Sequence, residues 1–399
     1  MFDTDRLDRI ATWMQGYIDA RRFAGASVLI SQGGKEVYYH QTGLRDVAGQ
    51  TPFERDTVAR IYSMTKPVTS LAIMQLAERG LFHLDAPVSD FIPSFAEMRA
   101  LVPGATSIDQ TAPCATPTLH QLLTHTSGLT YAFNPGLVGA AMAEAKVEFR
   151  ANQGSLAEMC DRAAALPLAF APGTRWEYSV AIDVLGRVVE VVSGKTLEQY
   201  FIDHIFDPLG MDETRFSVPT AARDRFAAAY TPLADGGFTV GKIAADADSL
   251  REIDGTDKSP FLNASLFGGG GGLVGTIDDY MKFCEALRTG GAGIIGPKTL
   301  DFMMRNHLPG EIASMGPQSF AEQPMEGMGF GLGGAVLLNP GRARAPGSIG
   351  DFSWGGMAST FFWVDPVLDI SAVFFTQLIP SSAYPARPQL KALVHGALT

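Results

Sequence analysis

The chain has 399 residues, of which 46% are hydrophobic and 18% charged. That length and balance exclude a disordered or fibrous protein and allow a sizeable core, as one large domain or two interleaved ones. A formal net charge of −11 argues against a nucleic-acid backbone or an anionic membrane surface as the main partner, and leaves small neutral molecules open.

The first predicted element is an amphipathic helix with Leu7, Ile10, Met14 and Ile18 on one stripe. It has neither a basic n-region nor an apolar h-region, so no secretory signal is read there. Ser27–Ile30 and Glu36–Tyr39 flank Gly33-Gly34 and read as a hairpin. A helix follows from about Tyr62 to Arg79, apolar on most faces, with Gly80 suited to its stop; such a helix is central. From residue 85 to about 265 the pattern is helical segments between long Pro/Gly/Thr loops. Within it Ile182, Leu185, Val189 and Val192 form one helical stripe ended by Gly194, and Thr196 with Gln199 makes a capping-box pattern. The stretch 213–262 reads as loops whose aromatic tips, Phe216, Tyr230 and Phe238, could wall a pocket or simply pack. Near the end, Thr360–Val364 and Ile370–Thr376 flank Asp365-Pro366 as a second hairpin, and a helix from about Arg387 to Leu398 closes the chain.

Strands at both ends with helices between predict an α/β (α+β) fold: an antiparallel sheet built from residues 1–84 and 266–399, flanked by helices, with a mostly helical region over 85–265. No window carries eighteen consecutive apolar residues, so no membrane span is expected. Three cysteines, Cys114, Cys160 and Cys284, are odd in number and lack close pairing, which fits a reducing cytoplasm better than a disulfide scaffold.

Three stretches could carry chemistry. In Ser63-Met64-Thr65-Lys66 a hydroxyl and an amine stand one turn apart at a helix start, where unpaired N–H groups and the positive end of the dipole are available to an oxyanion. Roughly one Ser-x-x-Lys is expected by chance in a chain this long. What singles this one out is its position at the head of the most apolar helix, where a lysine needs a polar reason to be. In Trp176-Glu177-Tyr178-Ser179-Val180, after a Pro172-Gly173 turn, Ser179 can cap the next helix and fix Tyr178 where loop meets helix; a core tyrosine with a satisfied hydroxyl is the plainer account. In Ser353-Trp354-Gly355-Gly356-Met357, opening the first strand of the last hairpin, the paired glycines mark a close approach to the backbone, by a substrate or across an ordinary bulge.

Taken in order, Ser63-x-x-Lys66, Tyr178-Ser179-x and Trp354-Gly355-Gly356 resemble the three motifs of class C β-lactamases and of their relatives, the family VIII carboxylesterases. Leu122–Leu129 (Leu-Leu-Thr-His-Thr-Ser-Gly-Leu), Pro208–Met211 and Gly269–Thr276 look like signposts of the same family, and the likeness runs from about residue 7 to 395. It implies a β-lactamase/DD-peptidase-like fold with the site in a groove between the sheet and the helical region. It further implies Ser63 as nucleophile, Lys66 and Tyr178 as a shared acid–base pair, and the amides of Ser63 and Met357 as oxyanion hole. Trp354, Gly355, Gly356 and Asp183 would contact substrate, though Asp183 reads equally as a first-turn acid.

Two departures bear on the substrate. Where β-lactamases carry Asn and Lys, this chain has Val180 and Trp354, which removes an amide and a carboxylate-gripping charge and favours small uncharged esters. Acyl transfer by the same acyl-enzyme, β-lactam or D-aminoacyl peptide cleavage, and a non-catalytic binding module are the alternatives. No Gly-x-Ser-x-Gly occurs. His125, among leucines, reads as structural; no zinc-ligand spacing and no phosphate loop are found, so no metal and no cofactor are expected, and the run Gly268–Gly272 reads as flexible backbone beside the groove. No oligomeric state is read from the sequence.

Overall fold

In the computed structural model the described residues are 1–147, 150–234, 250–320 and 323–399; Phe238 lies outside them. The sheet has eight strands, all antiparallel: β1 (Gly25–Gln32), β2 (Lys35–Asp46), β3 (Thr51–Pro52), β4 (Met328–Phe330), β5 (Ala335–Leu337), β6 (Phe352–Gly355), β7 (Phe361–Asp365) and β8 (Ile370–Thr376). Their order across the sheet is β4-β5-β6-β7-β8-β1-β2-β3, so the N-terminal hairpin joins the C-terminal strands along the β1–β8 ladder, with Ala26 opposite Thr376 and Gln32 opposite Ile370. β1 and β8 are central and buried on both faces, which is why both read as continuous apolar runs rather than alternating ones.

The two faces are covered differently. Phe361, Trp363 and Phe374 point towards helices α1 (Arg9–Asp19) and α5 (Ala386–Gly396), meeting Ile10, Met14, Leu390 and Val394. Their strand neighbours Phe362, Val364, Val373 and Phe375 point the other way, into the large core that contains helices α2 (Thr65–Glu78), α3 (Ala181–Ser193) and α4 (Ile277–Arg288). Residues Thr65 to Leu76 of α2 are all buried, and the helix stops before Gly80, whose φ of +75° a glycine takes without strain. Gly194, at φ +70°, ends α3 in the same way.

The predicted elements and the structure differ in several places, among them a short antiparallel pair, Ala229–Thr231 with Arg251–Asp254, inside the stretch read as loops. The glycine-pair motif does not open the last hairpin: Phe352–Gly355 is a strand of its own, and residues 356–360 turn the chain into β7. β4 and β5, three residues each, are too short to leave a periodic signal. Thr196 does cap the next helix, accepting from the Gln199 amide at 3.2 Å, but the Gln199 side chain donates to Asp203 instead of closing the box. No helix among the described residues is long and apolar enough to cross a membrane.

Candidate active site

Ser63 lies in a single 3₁₀ turn, Tyr62–Met64, that leads straight into α2. Tyr62 enters this turn with φ +42°, a left-handed conformation that a bulky side chain holds only when its surroundings enforce it. One turn later, Lys66 is fully buried. Its ammonium position is surrounded by three acceptors: the Gly270 carbonyl at 2.6 Å, the Tyr131 hydroxyl at 2.9 Å and Ser63 Oγ at 3.3 Å. Three polar partners so placed satisfy the buried nitrogen whichever hydrogens it carries.

Tyr178 comes to the same point from the other side, its phenol donating to Ser63 Oγ at 2.6 Å. Lys66 Nζ also lies 4.5 Å from the centre of the Tyr178 ring. The segment carrying Tyr178 is irregular and pinned through its backbone. Trp176 donates its amide to Met315 O (2.8 Å), Glu177 to His125 O (2.9 Å), and the Asn134 side chain donates to Tyr178 O at 2.8 Å. The sequence therefore places Tyr178 correctly at a loop–helix junction, and Ser179 Oγ does accept from the first amide of α3, Ala181 N, at 3.4 Å, although Ser179 is not itself the cap residue. The N-cap of α3 is Val180, and Ser179 Oγ lies 3.0 Å from His125 Nδ1.

Tyr131 is the site residue that sequence reading missed. Its ring stacks on Phe133, and burial first, then the nearby Asp183 and Tyr178, push its phenol well above the ordinary range, so it stays protonated beside the lysine. The only available signal was its position three residues after Gly128 in the Leu122–Leu129 stretch. Asp183 is placed differently from the expectation. It is 1% exposed, accepts from the Gly270 amide at 2.8 Å, and stands behind Lys66 rather than against an open groove; burial raises its pKa, opposed by Lys66. Gly270 thus links the two, with its N–H on the acid and its C=O on the amine.

The glycine run is close packing, not slack. A Cβ on Gly270 would lie 2.3 Å from Asp183 Oδ2, and one on Gly272 2.5 Å from the Phe216 ring. The same holds for the motif on β6. A Cβ on Gly356 would lie 2.3 Å from Ile61 O, and one on Gly355 2.2 Å from the Arg387 guanidinium, so what approaches these glycines is the protein itself. Trp354 is 4% exposed, inside an aromatic cluster with Phe320, Phe330 and Tyr178. It backs the phenol rather than lining the groove. Met357, half-buried, follows in the turn after β6. Phe216 and Tyr230 wall nothing: the first stacks in the core on Phe201, and the second accepts from the Val47 amide at 2.8 Å.

His125 is fully buried, and burial, with Lys66 adding to it, holds its pKa well below the usual value. Its ring lies against Tyr178, Trp176 and Phe330, a structural role. Among the described residues one trio, Asp351, Asp365 and His395, has a metal-like spacing, but Lys391 already neutralises Asp351 at 2.6 Å there. That trio joins the ends of β6 and β7 to α5, apart from Ser63.

The model of the Beta-lactamase family matches residues 10–395. The chain belongs to the β-lactamase family. Among its relatives, Esterase EstB of Burkholderia gladioli is 33% identical over 367 residues, covering 89% of this chain and 86% of that protein. Protein Rv1367c of Mycobacterium tuberculosis is 33% identical over 380 residues, covering 92% and 89%. Among solved structures, EstCE1, a hydrolase with promiscuous acyltransferase activity, superposes with a TM-score of 0.81 at 30% identity, covering 98% of this chain and 99% of that one. Simvastatin synthase (LovD) from Aspergillus terreus gives 0.79 at 26% identity, covering 98% and 97%.

Proposed function

We propose that this family member is a serine carboxylesterase that hydrolyses small carboxylic esters through an acyl-enzyme on Ser63. The observation that carries the reading is the short phenol–hydroxyl contact between Tyr178 and Ser63, with Lys66 on the same oxygen. Ser63 Oγ attacks the ester carbonyl carbon as its proton passes to the one basic site, amine nitrogen or phenolate oxygen, that the Lys66/Tyr178 pair leaves unprotonated. The developing oxyanion is held by the amides of Ser63 and Met357, the pair returns the proton to the departing alcohol oxygen, and a water molecule then attacks the acyl carbon and frees Ser63.

The names of EstB, an esterase, and EstCE1, a hydrolase, support hydrolysis as the reaction. The residue types support esters over β-lactams: the positions of the β-lactamase Asn and Lys hold Val180 and Trp354, both buried, so neither that amide nor that charge is there to meet a substrate. Transfer of the acyl group to an alcohol in place of water is a second reading, favoured by the promiscuous acyltransferase activity of EstCE1 and by the likeness to Acyltransferase calJ of Penicillium decumbens. In keeping with this reading we assign residues 1–84 with 266–399 to the sheet region and 85–265 to the helical one, and three free thiols suit a reducing compartment such as the cytoplasm.

The test is the Ser63→Ala variant with p-nitrophenyl acetate and butyrate, together with the intact mass of wild type quenched during turnover. Loss of hydrolysis and an acyl adduct on the peptide containing Ser63 are expected. Undiminished turnover by Ser63→Ala sinks the assignment, and nitrocefin cleaved as fast as esters overturns the substrate preference.

A further inference from the structure

Beside the main core and the helix-covered face lies a third, smaller apolar cluster: Val58, Tyr62, Val218, Phe226, Phe261, Ala358 and Ile379 among others, with Met357 packed against it. It joins the two chain segments that carry the proposed oxyanion amides. Tyr62 is the residue before Ser63, and Met357 and Ala358 belong to the turn after β6. The two segments also touch directly, since the Thr360 hydroxyl donates to Ile61 O at 3.4 Å and Gly356 leaves no room for a side chain there. Phe261 closes the cluster edge-on to the Tyr62 ring, with centroids 5.7 Å apart and planes at 88°.

Phe261 is itself held in place from the nucleophile side. Arg60, three residues before Ser63 and fully buried, reaches into segment 254–259, bonding Asp254 Oδ2 at 2.6 Å, Gly255 O at 3.1 Å and Ser259 Oγ at 3.2 Å. Its guanidinium also lies over the Phe226 ring, 4.1 Å from the centre. The 3₁₀ turn Pro260–Leu262 that carries Phe261 begins at Ser259, whose hydroxyl accepts from the Phe261 amide. The backbone before Ser63 and the loop that packs on it are therefore fastened to each other.

We infer that Phe261 is a positioning residue for the reaction: pressed on Tyr62 by the Arg60–Asp254 clamp, it keeps the left-handed turn before Ser63 and the turn at Met357 in register, so that the two amides face one point. This rests on the reading of Ser63 as nucleophile and of those amides as the oxyanion hole. An interaction that fixes donors for the transition state acts on kcat rather than on substrate binding.

The experiment compares Phe261→Ala, Phe261→Leu and Asp254→Asn with wild type in p-nitrophenyl butyrate kinetics and in hydrogen–deuterium exchange. Phe261→Ala is expected to lower kcat about 10- to 100-fold with KM within about twofold, a misplacement effect. It should also speed exchange in peptides spanning residues 60–65 and 355–360. Phe261→Leu should recover part of both, and it and Asp254→Asn carry the test where the alanine variant does not fold. A raised KM with unchanged kcat makes Phe261 a substrate wall and overturns the inference, as does unchanged exchange in both peptides. Failure of the underlying reading is seen separately: wild type whose Ser63 takes no acyl group or phosphonate label refutes the esterase assignment, while the exchange data still decide whether Phe261 holds the two turns.

Discussion

The phenol of Tyr178 and the hydroxyl of Ser63 are 2.6 Å apart in space and 115 residues apart in the chain. Neither segment positions the contact alone. Ser63 is set by the turn into α2, and Tyr178 by amide bonds to Met315 and His125 from two other loops.

Replacing Tyr178 by Phe removes the group proposed to hand protons to and from Ser63 while keeping the ring that packs on Trp354, Phe320 and His125. The expected result is a loss of about 10²- to 10⁴-fold in kcat for a p-nitrophenyl ester, with KM and melting temperature little changed. A kcat within threefold of wild type assigns proton transfer to Lys66 alone.

Tyr131→Phe takes one of three acceptors from a buried amine. The remaining bonds, to Gly270 O and Ser63, persist. A cost of about 1–3 kcal/mol in stability is expected for the unmet donor, together with a fall in kcat larger than any change in KM. Urea titration and steady-state kinetics on the same preparation separate the two.

Gly270→Ala places a methyl 2.3 Å from the Asp183 carboxylate in a fully packed region. Overpacking of this kind costs about 1–3 kcal/mol, and here it also pushes on the carbonyl that holds Lys66. Lower stability with disproportionately lower activity is the expected pattern. Gly80→Ala serves as control, because a methyl there meets nothing within 4 Å; its φ of +75° gives it a strain cost of its own, but one remote from the lysine.

Trp354→Lys restores the residue type of β-lactamases without restoring its setting. The indole is 4% exposed between Phe320, Phe330 and Tyr178, so a lysine there loses the ring packing and buries a charge. Destabilisation of about 3–5 kcal/mol, by analogy with Trp→Ala in cores, and no gain in nitrocefin turnover are expected. A measurable gain shows that the groove reaches this side chain.

Acid should weaken the fold before its carboxylates titrate. Of the seven histidines, His40, His120, His125, His204 and His307 have pKa values lowered chiefly by burial. A lowered histidine is neutral when folded and takes a proton when unfolded; its stabilisation is whole above the unfolded value of about 6.5 and drains away as pH falls towards the folded one. Asp183 and Asp351, raised by burial, act in the opposite sense, since acidification favours their folded, protonated form. The unfolded histidine value lies inside the window from pH 7 to 5, so a loss is expected there at up to about 1.4 kcal/mol per pH unit for each proton of difference, with the two raised carboxylates working against it. Urea midpoints across that range check the sign, and His120→Gln should flatten the slope.

The features legible in the sequence were those written in local pattern or in contiguous motifs. The alternation of Phe361, Phe362, Trp363 and Val364 reports a strand with two covered faces, and the stop at Gly80 reports the end of α2. The β-lactamase-family membership and sheet-plus-helix class followed from such stretches. What was illegible depends on the third dimension. Asp183 looks like any first-turn acid until Gly270 is brought against it, and Tyr131 like any loop tyrosine until Lys66 points at it. The glycines of 268–272 and 355–356 look permissive on paper because composition cannot distinguish a loop that moves from one that leaves no room.

The pairing of β1 with β8 couples residues near opposite ends of the polypeptide, Ala26 with Thr376. During synthesis the stretch with Ser63 leaves the ribosome hundreds of residues before the strand that completes its supporting sheet. Contacts of such sequence separation are slow to form, so the arrangement around Ser63 is completed late, and truncation within β8 should abolish solubility along with the proposed catalysis.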